Sequence, residues 1–414
     1  MIRADPMTLT FAEAPAHDVP DDSPASERWH QWPHFDDEQI AAAAAVLRSG
    51  KVNYWTGEEA RAFEREFARS CGAGYGIALA NGTVALELAL HVLGIGPGDE
   101  VVVTPRSFIA SASAVALRGA RPVFADVDPD SQNITPATVQ AVLSRRTKAI
   151  IAVHLAGWPC EMEGLQELAR AHGLKLIEDC AQAHGALYRG RPVGSFGDLA
   201  AFSFCQDKII TTAGEGGMLT TNDEALWRAA WSYKDHGKSY DAVYHRAHPP
   251  GFRWVHESLG TNWRMTEVQA AIGRRQLERL PAWLSLRRRN VAILADGLRP
   301  LPLLRVPQTP AHIGHAWYKF YAFVRPDRLA RGWTRDRVMT AIADRGIPCF
   351  SGSCSEIYRE RAFSEHRLRP ERPRTVARSL GATSLMLLVH PTLMPEDMAY
   401  ACRVVADVCA RATR

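Results

Sequence analysis

The sequence predicts an α/β protein, with a mainly parallel sheet sandwiched by helices and then a smaller α+β domain. Two observations point there. Between residues 75 and 204, short runs that are apolar throughout alternate with helical stretches; strands of that kind are buried on both faces, and crossover helices join them in parallel. After residue 280 the alternation stops, and one strand-like segment, YKFYAFVR, is followed by helical ones.

Residues 1–34 are rich in Pro, Asp, Ser and Ala without periodicity, which predicts a mobile tail or an arm that orders only against a partner. The segment DEQIAAAAAVLRS, ending at Ser49, reads as a helix, and EEARAFEREFARSCG, from Glu58, reads as a second one stopped by Gly72. Strand and helix then alternate: YGIALA and TVALELALHVLG, EVVVTP and IASASAVALRG, RPVFADV and ITPATVQAVLSR, KAIIAVHL and EGLQELARAHG, and finally LKLIEDC and LAAFSF. A large domain over 35–280 follows. From Pro281 the helical PAWLSLRRRNVAILADGL leads into a small domain over 281–414, with TRDRVMTAIADRG and a last segment from Pro395 as further helices.

Composition excludes several classes. With 414 residues, 46% of them hydrophobic and 23% charged, the chain can bury more than one core. Lys and Arg number 49 against 45 Asp and Glu, a net +4 too thinly spread for a nucleic-acid binder. Arg287-Arg288-Arg289 and the stretch Arg369 to Arg378 read as solvated faces. No run approaches the ~18 apolar residues that span a bilayer, and the N-terminus lacks a signal-peptide core, so a cytoplasmic protein without a membrane partner is expected. The eight cysteines form no CxxC pair or Cys/His cluster, which argues for reduced thiols and no metal site. Cys349 and Cys354 read as ordinary small residues.

Ligands of parallel sheets bind where strands end and helix N-termini converge. No strand is followed by G-x-G-x-x-G, so a nicotinamide site is not expected. After YGIALA come Asn81-Gly82-Thr83 and a helix, where Gly82 permits close backbone approach, Thr83 can cap, and free N–H groups suit a phosphate; taken alone, these residues read more readily as a plain helix cap. After LKLIE comes Asp179, with Gln182 and His184 just beyond. A buried carboxylate needs a cationic partner or several hydrogen bonds; a protonated pyridine nitrogen would be such a partner, and a structural Asp in an ordinary ion pair reads as well. After LAAFSF comes Lys208 and a glycine-rich return, AGEGGMLTTND. An amine in a water-poor site loses its proton more readily, as Schiff-base chemistry requires. A phosphate cup, a carboxylate and a lysine at successive strand ends are together the parts of a pyridoxal-phosphate site.

These residues carry a resemblance. NGTVALELAL, GPGDEVVVTPRSFIASA, PVFADVD, KAIIAVHLAG, IEDCAQAHGA, GSFGDLAAFSF with Lys208, GEGGMLTTND and GTNWRMTEVQAAIG resemble, in order and spacing, the DegT/StrS-like sugar aminotransferases of the fold-type I pyridoxal-phosphate enzymes. The resemblance implies an aspartate-aminotransferase-like large domain and pyridoxal 5'-phosphate as cofactor. It implies that Lys208 bonds the cofactor and shuttles a proton, that Asp179 pairs with the ring nitrogen, and that Gln182 lies near the ring oxygen. Phe108 would stack on the ring, Gly82, Thr83 and Ser203 would hold the phosphate, and Asn262 would reach that phosphate from the other subunit of a homodimer with shared active sites. The implied substrates are an amino-acid donor, L-glutamate by analogy, and a nucleotide-linked keto sugar. Cys205 stands where the family often has His, and Trp158 where a polar residue is usual, which leaves the sugar pocket open. Relatives that dehydrate sugars carry His at the lysine position, so an intact Lys208 favours transamination over a dehydratase, an aromatizing synthase or a non-catalytic regulator. His154 and His315 read either as sugar or carboxylate contacts or as structural histidines, and Arg264 is a candidate at the mouth for a nucleotide diphosphate.

Overall fold

The computed structural model describes Trp29 and residues 32–414; the rest of the expected tail or arm lies outside the described residues. The first half builds one seven-stranded sheet from β1 (Tyr75–Leu79), β2 (Glu100–Val103), β3 (Arg121–Phe124), β4 (Thr147–Val153), β5 (Lys175–Asp179), β6 (Leu199–Ser203) and β7 (Gly217–Thr221). Their order is β1-β7-β6-β5-β4-β2-β3. From β3 to β6 every neighbouring pair is parallel, whereas β7 runs antiparallel to both β6 and β1. The reason is local: the chain returns from β6 to β7 through a loop with no crossover helix, and a strand fed in that way must reverse.

Helices cover both faces. Alternate residues of the inner strands join different cores: Val101, Val103 and Ile151 pack on one side, Val102, Ile150 and Ala152 on the other. The early helices are α1 (Asp37–Ser49), α2 (Glu59–Ser70), α3 (Gly82–Val92), α4 (Ala110–Leu117), α5 (Met162–His172) and α6 (Glu224–Tyr233). The helical segment read from Pro281 is the second half of one longer helix, α7, which starts at Glu267 and runs to Leu298, with Pro281 inside it and a Thr266–Gln269 capping box at its head. One face of α7, including Leu280, Leu284, Arg287, Val291 and Leu294, is buried. The arginine run is therefore not a solvated face: the helical period places Arg287 in the interior, where its Nη1 donates to the carbonyls of Trp317 and Tyr318, and leaves Arg288 outside.

Beyond α7, a four-stranded antiparallel sheet (Leu304–Arg305, Phe320–Val324, Ser384–Leu387, Cys349–Phe350, in that order) packs with α8 (Arg335–Ala343) and α9 (Pro395–Ala412) on the far end of α7. Two seams tie this part to the first. Ile313–Gly314 pairs with the hairpin strand Leu187–Tyr188, and the 353–357 segment bonds the turn after β2 through Ser107 N–H to Cys354 O and Ile357 N–H to Pro105 O. The candidate residues lie between these seams.

Candidate active site

Asp179 closes β5 and is buried. Its Oδ2 accepts from the Ser111 hydroxyl at 2.7 Å and its Oδ1 from the Ala181 N–H at 3.1 Å. Ser111 is in turn 3.0 Å from Ser107 Oγ; Ser107 lies in the turn before α4, and Ser111 lies in its first turn. No ion pair reaches Asp179 among the described residues. Burial pushes its carboxyl up from the ordinary range, while Ser111, Ala181 and the charge of Lys208 pull the other way. A carboxylate held between neutral donors in this manner is a receptor for a cation that the chain itself does not supply.

Lys208 follows β6, its side chain 15% exposed, with Nζ 3.8 Å from Asp207 Oδ1 and 5.1 Å from the centre of the Tyr318 ring. Asp207 is fixed by the Tyr318 hydroxyl, which donates to it. Burial pushes the Asp207 carboxyl up, but Lys208, Tyr318 and Lys319 outweigh that and hold it below the ordinary value. The backbone of Lys208 is pinned on both sides: its N–H donates to Cys205 O at 3.0 Å, and its carbonyl accepts from Trp32 Nε1–H at 2.9 Å.

The phosphate cup is assembled where α3 meets β6. A Cβ added to Gly82 would stand 2.6 Å from Ser203 Cβ, and one added to Gly217 would stand 2.9 Å from Gly82 N. These glycines thus let the head of α3 close onto β6 and β7. Asn81, not Thr83, caps α3, its side chain accepting from Val84 N–H at 3.0 Å; Thr83 lies inside the first turn, two residues too far on to cap. The positive end of the dipole and the N–H groups of that turn face the Ser203 side.

Gln182 is buried, and its Oε1 accepts from Ala156 N–H at 2.8 Å. Phe108 is 67% exposed, so a core role is excluded and its ring is free to cover a ligand. Asn262 is exposed on the strand-like segment that pairs with Asp235 and that, two residues on, bridges Leu79 at the end of β1. His154 is structural: its Nδ1 accepts from Cys160 N–H and its Nε2 meets Glu178, which also receives the N–H groups of Gly194, Phe196 and Gly197. With these bonds made, the imidazole of His154 and the carboxylate of Glu178 are already occupied by the chain. His315 accepts from Trp317 N–H through Nδ1 and stacks on the Trp317 ring at 3.7 Å. Arg264 does not stand free at a mouth: buried Asp235 accepts from its Nη1 at 2.6 Å and also from Lys238. Ser111, Tyr318 and Trp32 escape the sequence reading. The Ser-x-x-x-Ser spacing was a signal for the first; the other two come from distant chain segments.

The residues present fit pyridoxal phosphate. A Cβ at Gly82 would fill the cup, Asp179 lacks a cation, and Lys208 lies close enough to act on Asp179's charge.

A family model described as the DegT/DnrJ/EryC1/StrS aminotransferase family matches residues 33–406. A relative from Acidithiobacillus ferrooxidans, named UDP-N-acetyl-3-dehydro-alpha-D-glucosamine 3-aminotransferase, is 39% identical over 369 residues, 89% of this chain and 93% of its own length. A GDP-perosamine synthase from Caulobacter vibrioides is 49% identical over 287 residues, 69% of this chain and 73% of its own. The crystal structure of an aminotransferase from Psychrobacter cryohalolentis superposes with a TM-score of 0.91 at 54% identity, covering 93% of this chain and 99% of that one.

Proposed function

Because the chain belongs to the DegT/DnrJ/EryC1/StrS aminotransferase family, we propose that it moves an amino group from an amino acid to a keto group of a nucleotide-linked sugar, using pyridoxal phosphate, in amino-sugar biosynthesis. The enzyme is an aminotransferase. The observation that carries the cofactor assignment is Asp179, a buried carboxylate with two neutral donors and no cation, facing Lys208 across one strand end. Bound pyridoxal phosphate supplies the electron sink that makes a carbon–hydrogen bond beside nitrogen labile. The chain's own part is positional and electrostatic. Asp179 keeps the ring nitrogen charged, the head of α3 with Ser203 holds the phosphate, and Phe108 and Gln182 fix the ring. Lys208 Nζ would hold the cofactor and would move a proton between two carbons of the substrate. The donor reacts first and leaves as its oxo-acid; the keto sugar then enters the same site.

The working unit is read as a homodimer in the cytoplasm. Leading into Asn262, the loop exposes Phe252, Trp254 and Leu259, at 72%, 80% and 93%, an apolar stretch that a second copy would cover. Asn262 would then meet the partner's phosphate.

The assignment is tested by borohydride reduction of the coloured holoenzyme followed by peptide mapping. The cofactor is expected on the peptide containing Lys208, and Lys208→Ala is expected to lose essentially all turnover. Label on any other lysine refutes it.

A further inference from the structure

Seven non-glycine residues among those described have left-handed backbone, and three of them, Gln132 (φ 65°), Ala156 (φ 57°) and Trp317 (φ 53°), line a single cavity. Such conformations cost about 1–3 kcal/mol each and persist where the surroundings impose them, typically at ligand sites. Two of the three are locked together, since Tyr318 N–H donates to Ala156 O and Ala316 N–H to Gly157 O, both at 2.9 Å. On its other side Ala156 is held by Gln182, the residue assigned to the cofactor ring. The cavity therefore shares a wall with the cofactor site and lies at the seam between the two sheets.

Its chemistry is cationic. Lys319 lines it together with Gln132, Tyr321, Trp158, Trp317 and His315. The Lys319 ammonium has no ion pair among the described residues and rests 4.7 Å from the Tyr318 ring centre. Asp130, at the rim, is already engaged by Arg305. Gln132 Oε1 accepts from Arg106 Nε at 2.8 Å, which turns the amide NH2 into the available donor. The imidazole of His315 is neutral, burial having pushed it down to about 3. Burial, with Arg287 and Lys208 nearby, brings Lys319 down to about 8 despite Asp207, so it remains charged at neutral pH. An ammonium and an amide donor lining one cavity, with indole walls, offer two polar contacts to a carboxylate that enters from the cofactor side.

We propose that Lys319 and Gln132 form the subsite that receives a carboxylate of the amino-acid donor and of the oxo-acid it leaves. This rests on the transaminase reading above. Lys319 would act with the donor only, so the two half-reactions separate its role from general damage. With the cofactor-loaded protein, L-glutamate conversion and keto-sugar conversion are each followed by absorbance in wild type, Lys319→Met and Lys319→Arg. Wild type unresponsive to any amino acid would sink the transaminase reading itself. Given a responsive wild type, Lys319→Met is expected to raise the half-saturating L-glutamate concentration by about tenfold or more, Lys319→Arg to recover most of it, and the sugar half-reaction to move little. No change, equal weakening of both halves, or a loss confined to the sugar overturns the proposal. Should Lys319→Met fail to hold cofactor, wild type decides: 2-oxoglutarate is expected to protect Lys319 from acetylation as read by mass spectrometry, and equal labelling with and without it overturns the subsite.

Discussion

Asp179 illustrates how much one side chain can reveal when its partners are counted. Among the described residues it has two neutral donors and no cation, and its carboxyl is pushed up by burial. The cofactor-free protein therefore bears the cost of an uncompensated charge at neutral pH, and the loaded protein does not. Asp179→Asn is expected to leave the cofactor-free protein at least as stable as wild type to heat, to weaken cofactor retention, and to slow turnover by orders of magnitude. Near-normal turnover would show that the carboxylate is structural. Asp179 and Lys208 could be singled out in the sequence because the first ends a buried strand and the second follows one. Tyr318 and Trp32 were not, because their contacts with Asp207 and Lys208 join segments more than a hundred residues apart, and no local pattern encodes such a pairing. The mistaken Thr83 cap belongs to a third kind: Asn and Thr are both good caps one residue from Gly82, and only the backbone geometry chooses between them.

Elements were read from periodicity, and they succeed or fail with it. The strands β1 to β6 are continuous apolar runs and were recognisable; β7 begins in a glycine-rich stretch that carries no such signal, and it is the strand that breaks the parallel pattern. For α7 the sign was misleading, since a proline favours a helix start and Pro281 instead lies in the interior. Its ring leaves Leu277 O without the usual donor, while the buried neighbours Leu280 and Leu284 keep the helix continuous. Pro281→Ala restores that donor at an exposed position. We expect it to stabilise the protein by about 1–3 kcal/mol in urea unfolding; a loss would mean that the ring itself is needed to shape the helix.

For the whole molecule, two properties emerge that no single element has. Burial is the main cause that pushes His184, His315 and His390 down to about 3, whereas in the unfolded chain they titrate near ~6.5. Between those values the unfolded state binds more protons, so stability is full above pH ~6.5 and is lost as pH falls, by up to about 1.4 kcal/mol per pH unit for each histidine. Denaturation midpoints of the cofactor-free protein should drop from pH 7 to pH 5, and His184→Phe should flatten that slope. The second is the proposed sharing of the site between two subunits. Mixing inactive Lys208→Ala with weakly active Asn262→Ala is expected to raise activity as subunits exchange, because one site of each mixed dimer then carries both lesions and the other neither. Activity that stays at the parental average, with exchange confirmed, would place both residues in one chain.

The contact between Trp32 and Lys208 also orders events during synthesis. Trp32 leaves the ribosome early, yet it stacks on His390 and packs edge-on against Trp283 while its indole N–H holds the carbonyl of Lys208. At about 5–20 residues per second, His390 is made roughly 10–40 seconds after Lys208. For that interval the nascent chain has its lysine but not the clasp that holds it, so the catalytic backbone takes its final shape only after translation has nearly finished.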